Sequence, residues 1–227
     1  MAQDLPFSEL SVEIPPARIA GDLQVPVDAK GLVIFAHGSG SSRFSVRNRF
    51  VAGVLQQVGF ATLLLDLLTA REEDLDLQTS HLRFDIDLLA RRLIEATKWS
   101  GDNAALRDLP AAYFGASTGA AAALIAAAEL ADTVHAVVSR GGRPDLASSA
   151  LSRVKAPTLL IVGGDDAPVI ELNRRAFNQL RCEKKLEIVP GATHLFEEPS
   201  TLEQVAALAS GWFNDHVSMK FNARSIT

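Results

Sequence analysis

Apolar residues along the chain follow two different rhythms. Near the start they alternate: Leu10, Val12 and Ile14 are interleaved with Ser11 and Glu13, and Ile19, Leu23, Val25 and Val27 follow Pro15 and Pro16. A side-chain period of two predicts two short antiparallel strands, with Gly21 and Asp22 as the turn signal. From residue 31 the apolar positions run together instead. Residues 31–36 form a continuous apolar stretch ending in His37, Gly38, Ser39 and Gly40, and runs of the same type recur at 61–66, 111–115, 134–139, 157–162 and 186–189. Strands buried on both faces read this way, as they do in a parallel sheet.

Between these runs the spacing changes to three and four. Phe50, Val51, Val54, Leu55 and Val58 share one stripe of 46–58. Ile86, Leu89, Leu93 and Ile94 do the same in 85–99, opened by Asp85 and Asp87 where the helix dipole favours acids. Helical patterns at 118–130, 171–180 and 201–217 complete the set. The order predicts an α/β fold, a mostly parallel central sheet of about eight strands flanked by helices on both faces. The charged run 71–76 reads as a solvated loop. About seventeen residues separate Ser139 from Pro157, too few for an inserted cap, and no repeat or low-complexity linker interrupts the chain. One domain without a cap is expected.

Composition narrows the function classes. The 227 residues are 48% hydrophobic and 22% charged, an ordinary globular balance. With 22 basic against 27 acidic side chains the net charge is −5, so a nucleic-acid partner is not expected. The single cysteine, Cys182, allows neither an intramolecular disulfide nor a cysteine-based zinc site. Residues 109–128 carry no charge over about the length of a membrane span, but Pro110 and the 115–119 turn break the stretch. It reads as a buried strand, a tight turn and an Ala-rich helix, so no membrane partner is expected. The first residues lack a basic segment followed by an apolar run, and the expected location is cytoplasmic.

The strongest chemical signal is Gly115, Ala116, Ser117, Thr118, Gly119, a G-x-S-x-G between a buried strand and a helix. A nucleophile elbow needs that context, and the flanking positions must lack bulk. A plain strand-to-helix turn with a capping serine is the alternative. Serine needs a base, and the base an orienting acid. His194 follows the last strand in a loop able to reach the sheet's C-terminal edge; His135 falls inside a buried run and reads as a core residue, and His216 as a surface one. The acid should follow the penultimate strand, where Gly163 and Gly164 precede Asp165 and Asp166. The G-x-x-D spacing selects Asp166, with Asp165 the alternative and Asp145 more remote. Two backbone amides should hold the oxyanion: Thr118, after the nucleophile, and Ser39, in the loop after the third strand. His37 reads as a brace for that loop.

These motifs carry a resemblance. His37–Ser42, Gly115–Gly119, Val162–Asp166 and Gly191–Phe196 together resemble the α/β-hydrolase superfamily over essentially the whole chain, and specifically its small, capless dienelactone-hydrolase-like group. The resemblance implies a Ser-His-Asp hydrolase that needs no cofactor and no metal. Dienelactone hydrolases proper use a cysteine nucleophile; Ser117 in its place shifts the expectation to carboxylic esters generally. Some similar sequences are fused to phosphoribosyltransferase domains, but nothing here resembles a phosphoribosyl-pyrophosphate loop.

The expected activity is therefore hydrolysis of small soluble esters or lactones through Ser117, His194 and Asp166. Acyl transfer or peptide cleavage would use the same residues, and a non-catalytic binding protein would keep the fold while losing a triad member. Arg43, Arg47, Arg49, Arg140 and Arg143 fall near the C-terminal ends of strands, although the protein is acidic overall. Each could pair with a nearby acid such as Asp66 or Asp145. Arg140, at a buried strand's end, is the one expected to bind substrate, by gripping a carboxylate.

Overall fold

The computed structural model describes residues 10–217. Eight strands form one sheet: β1 (Leu10–Ile14), β2 (Ile19–Gln24), β3 (Leu32–Ala36), β4 (Ala61–Leu65), β5 (Ala111–Ala116), β6 (Val134–Arg140), β7 (Thr158–Gly163) and β8 (Lys184–Val189). Their spatial order is β1-β2-β4-β3-β5-β6-β7-β8. The pairs from β4 to β8 are parallel, while β1 and β2 run antiparallel to their neighbours. Every residue of β3, β4, β5 and β7 is buried, which is why those strands lack alternation in the sequence.

Among the described residues six α-helices flank the sheet: α1 (Val46–Gln57), α2 (Ala70–Thr79), α3 (Ile86–Asp102), α4 (Thr118–Glu129), α5 (Ala167–Gln179) and α6 (Thr201–His216). Val51 and Leu55 of α1 and Val205 and Phe213 of α6 cover one face. Leu89 and Leu93 of α3, the alanines of α4 and Ala176 of α5 cover the other. The order in which strands are added reverses between β3 and β5, with β4 laid to one side of β3 and β5 to the other, so the loops after β3 and β5 open a crevice at the C-terminal edge. Open α/β sheets bind ligands at such a point. Residues 109–128 resolve into β5 and α4, and no helix among the described residues is long and apolar enough to cross a membrane.

Four expectations are corrected. Gly21 and Asp22 lie inside β2, facing Val12 and Ser11 of β1, and the reversal falls at 15–18. Gly21 is a packing glycine: a Cβ there would lie 3.1 Å from the side chains of Leu63 and Leu65. The charged run is not a loop but most of α2. Thr69 Oγ1 accepts from the Glu72 amide, and the Glu72 carboxylate accepts from the Thr69 amide, a reciprocal cap that starts a helix despite its charge. His135 is exposed at the start of β6, its Nδ1 hydrogen-bonded to the Thr133 carbonyl. The helix expected at 171–180 begins earlier, at Ala167, with Pro168 in its first turn where a missing N–H does no harm.

Candidate active site

Residues from four strand ends, those of β3, β5, β6 and β8, converge on a cavity of about 250 Å³ beyond the C-terminal edge of the sheet. Ser39, Ser117, Arg140 and His194 all line it. Between the end of β5 and the start of α4 only Ser117 remains to make the turn. It holds φ 50° and ψ −121°, a conformation that side chains rarely adopt and that signals stored strain. Its amide donates to the Arg140 carbonyl, and its own carbonyl accepts from the Arg143 amide at 3.0 Å, so the end of β6 grips the turn from both sides. A Cβ on Gly119 would lie 2.4 Å from the carbonyl oxygens of Ala36 and His37, which leaves the elbow no room for a side chain. Gly119→Ala is therefore expected to lower stability by about 2 kcal/mol or more, since backbone rather than a flexible side chain must move. Denaturant unfolding checks this; an unchanged midpoint would show that the elbow relaxes freely.

On the far side of the cavity, His194 Nδ1 is 2.7 Å from Asp166 Oδ2. That bond fixes the proton on Nδ1 and leaves Nε2 with its lone pair available. Asp165 is exposed and does not reach the imidazole; its amide donates to the Ala192 carbonyl, tying the acid turn to the histidine loop. Asp145 is taken by Arg143, which pairs with it at 2.8 Å. Glu198 braces the histidine loop by accepting from the Thr193 amide and hydroxyl, and those bonds hold its carboxyl below the usual range. That brace was not apparent from spacing, because an acid four residues past a histidine has many possible uses.

His37 keeps to the loop. Its Nε2 accepts from the Leu67 amide and its Nδ1 lies 2.9 Å from the Gly38 carbonyl, so both nitrogens are engaged, and burial pushes its pKa down. His216 lies against Trp212 with ring centroids 4.3 Å apart and the rings tilted by 57°, away from the cavity. Cys182 also lies outside it, and burial pushes its thiol pKa up, away from the reactive thiolate. Among the described residues no group of three or more His, Cys, Asp or Glu is placed to hold a metal ion.

The two expected oxyanion donors differ. Thr118 opens α4, and amides of a helix's first turn have no partner within the helix. The Ser39 amide is already engaged: it donates to Thr118 Oγ1 at 2.9 Å. To reach an oxyanion it has to leave that hydroxyl.

The arginines also divide. Arg43 pairs with Asp22 and Asp66, Arg49 with Asp22, Arg143 with Asp145, and Arg47 with Glu197 at 2.8 Å. Arg140 alone of the five has no carboxylate partner among the described residues. Ser117, His194, Ser39 and Arg140 thus line one cavity, with Asp166 bonded to His194 and Thr118 to the Ser39 amide.

Comparison with known proteins agrees with this architecture. A profile of the dienelactone hydrolase family matches residues 19–219. The crystal structure of a dienelactone hydrolase from Anabaena variabilis superimposes with a TM-score of 0.90 at 60% identity, covering 93% of this chain and 98% of that one. Est1E from Butyrivibrio proteoclasticus shares the fold with a TM-score of 0.74 at 16% identity, over 91% of this chain and 98% of that one. Putative phosphoribosyl transferases from two strains of Mycobacterium tuberculosis are 56% identical over 218 residues, which is 95% of this chain and 48% of theirs. The chain spans about half the length of those curated relatives.

Proposed function

The chain belongs to the dienelactone hydrolase family, and from that premise we propose that it is a serine hydrolase cleaving small, soluble carboxylic esters or lactones through an acyl-enzyme on Ser117. The observation that carries the reading is a strained serine sharing one small cavity with a histidine whose far nitrogen is held by Asp166 at 2.7 Å. Ser117 Oγ attacks the ester carbonyl as His194 Nε2 takes its proton. Asp166 stabilises the resulting imidazolium and keeps the ring in the useful tautomer. The Thr118 and Ser39 amides hold the oxygen that becomes negative. His194 then gives the proton to the leaving alcohol, and water repeats the sequence to release the acid. The His194 side chain is 39% exposed, so water has a direct route to the acyl-enzyme.

The phosphoribosyl transferase name of the longer relatives is not extended to this chain, which spans about half of their length and has no resemblance to a phosphoribosyl-pyrophosphate loop.

The hydrolytic reading is tested with p-nitrophenyl acetate in the presence of a competing alcohol. Acetate should account for the nitrophenolate released. Acetylated alcohol in its place would make the protein an acyltransferase, and no turnover of this or other activated esters would remove the enzymatic reading.

The engaged Ser39 amide leads to a separate expectation. Thr118→Val removes the hydroxyl that accepts from it, so the resting protein should lose about 1 kcal/mol of stability, the usual net worth of one hydrogen bond. The oxyanion then no longer competes with that hydroxyl, so the transition state gains relative to the ground state and kcat should be kept or raised. Thr118→Ser should behave as wild type. A large fall in kcat in the valine variant alone would mean that the hydroxyl holds the loop in its working position.

A further inference from the structure

From sequence, Arg140 is expected to hold one substrate carboxylate. The cavity offers more than one carboxylate can use. Arg140 is 6% exposed at the end of β6, its guanidinium 5.7 Å from the Phe196 ring centroid, with no acid paired to it among the described residues. Burial and the repulsion of Arg47 push its pKa down to about 10, which still leaves it a cation at neutral pH. A buried charge held without a counter-charge is unfavourable and is relieved by an anion.

Two neighbours on the same wall are also incompletely used. Arg47 gives Nη1 to Glu197, whose side chain is 62% exposed at the rim, but its Nε is buried and has no hydrogen-bond partner. Asn48 is 2% exposed; its unpartnered Oδ1 is an acceptor and calls for no anion, so only its Nδ2 can donate to one. Both residues sit in the first turn of α1, whose dipole adds positive potential to the cavity they line. Serine hydroxyls fill much of the rest of the lining, so an extended apolar group would find little to pack against.

We infer that Arg47, Asn48 and Arg140 form a phosphate subsite, and that the ester cleaved at Ser117 carries a phosphate monoester group beyond its scissile bond. This deepens the serine-hydrolase reading and rests on it. A carboxylate brings one charge and two oxygens, which the fork of Arg140 alone satisfies. A phosphate monoester near neutral pH brings nearly two charges and three strong acceptor oxygens, matching the two guanidinium groups that approach from α1 and β6, with the Asn48 Nδ2 as a further donor. No bond to phosphorus changes; the group is a handle that places the carbonyl at Ser117.

The test compares 2-acetoxyethyl phosphate, 3-acetoxypropanoate and ethyl acetate as substrates, alongside inorganic phosphate as a ligand. The phosphate ester should have a kcat/KM about a hundredfold above the neutral ester and about tenfold above the carboxylate ester. The phosphate-to-neutral ratio should fall by about tenfold or more in Arg140→Gln. Arg47→Gln, at a more exposed position, carries the same test if the first variant fails to fold. Inorganic phosphate should raise the Tm of the wild type saturably and do so less in either variant, whereas acetate should not raise it. A carboxylate ester turned over as well as the phosphate ester, or a ratio unmoved in the variants, overturns the subsite. If wild type hydrolyses neither these three esters nor p-nitrophenyl acetate, the hydrolase reading fails, and the Tm response to inorganic phosphate still decides whether the anion site exists. Turnover of p-nitrophenyl acetate with none of the three overturns the phosphate-ester substrate alone.

Discussion

Ser117→Ala is expected to lower kcat/KM for p-nitrophenyl acetate by about 10⁴-fold or more, with the fold retained. The size of the effect follows from the role proposed for the hydroxyl. Without Oγ there is no acyl-enzyme, and His194 and Asp166 have no proton to manage. What remains is binding and the oxyanion donors, which in other triads give only a residual rate. The fold should persist because alanine adopts φ 50° with about the same strain as serine, and the bonds that grip residue 117 from Arg140 and Arg143 involve only its backbone. Wild-type turnover in this variant would mean that the ester is cleaved elsewhere.

The second large effect separates two adjacent carboxylates. Asp166→Asn is expected to lower kcat by about 10³–10⁴-fold, because an amide can neither stabilise the imidazolium nor reliably hold the same tautomer. Asp165→Asn should cost less than about tenfold, since its side chain is exposed and its link to the histidine loop runs through the backbone. Steady-state kinetics on both variants decides the matter; the reverse order of costs would move the acid to Asp165 and show that the 2.7 Å contact of Asp166 is incidental to the chemistry.

Much of this arrangement is legible in one dimension, for identifiable reasons. Buried strands declare themselves because residues such as those of β3 and β7 are apolar on both faces. The elbow is readable because its constraint is local: Gly115 and Gly119 bracket Ser117 within one turn of chain. Where a local signal competed with composition, the pattern misled. The T-x-x-E cap at Thr69 and Glu72 outweighs the charges that follow it, and α2 forms. His135 sits in an apolar run, yet β6 bulges there: Val134 faces Ala111 and Ala136 faces Ala112, so His135 is the unpaired extra residue and is exposed. Two contacts between residues far apart in the chain were not legible. The bond from the Ser39 amide to Thr118 Oγ1, and the meeting of Arg47, Asn48 and Arg140 on one wall, depend on strand order. No spacing rule encodes such contacts.

The central claim, that Ser117 is a nucleophile activated within this cavity, is tested most directly by labelling the native protein with a fluorophosphonate and locating the adduct by peptide mass mapping. The account predicts one adduct per chain on the peptide containing Ser117, lost in Ser117→Ala and much slowed in His194→Ala. A native protein that stays unlabelled, or one labelled at another residue with Ser117 unmodified, would contradict it.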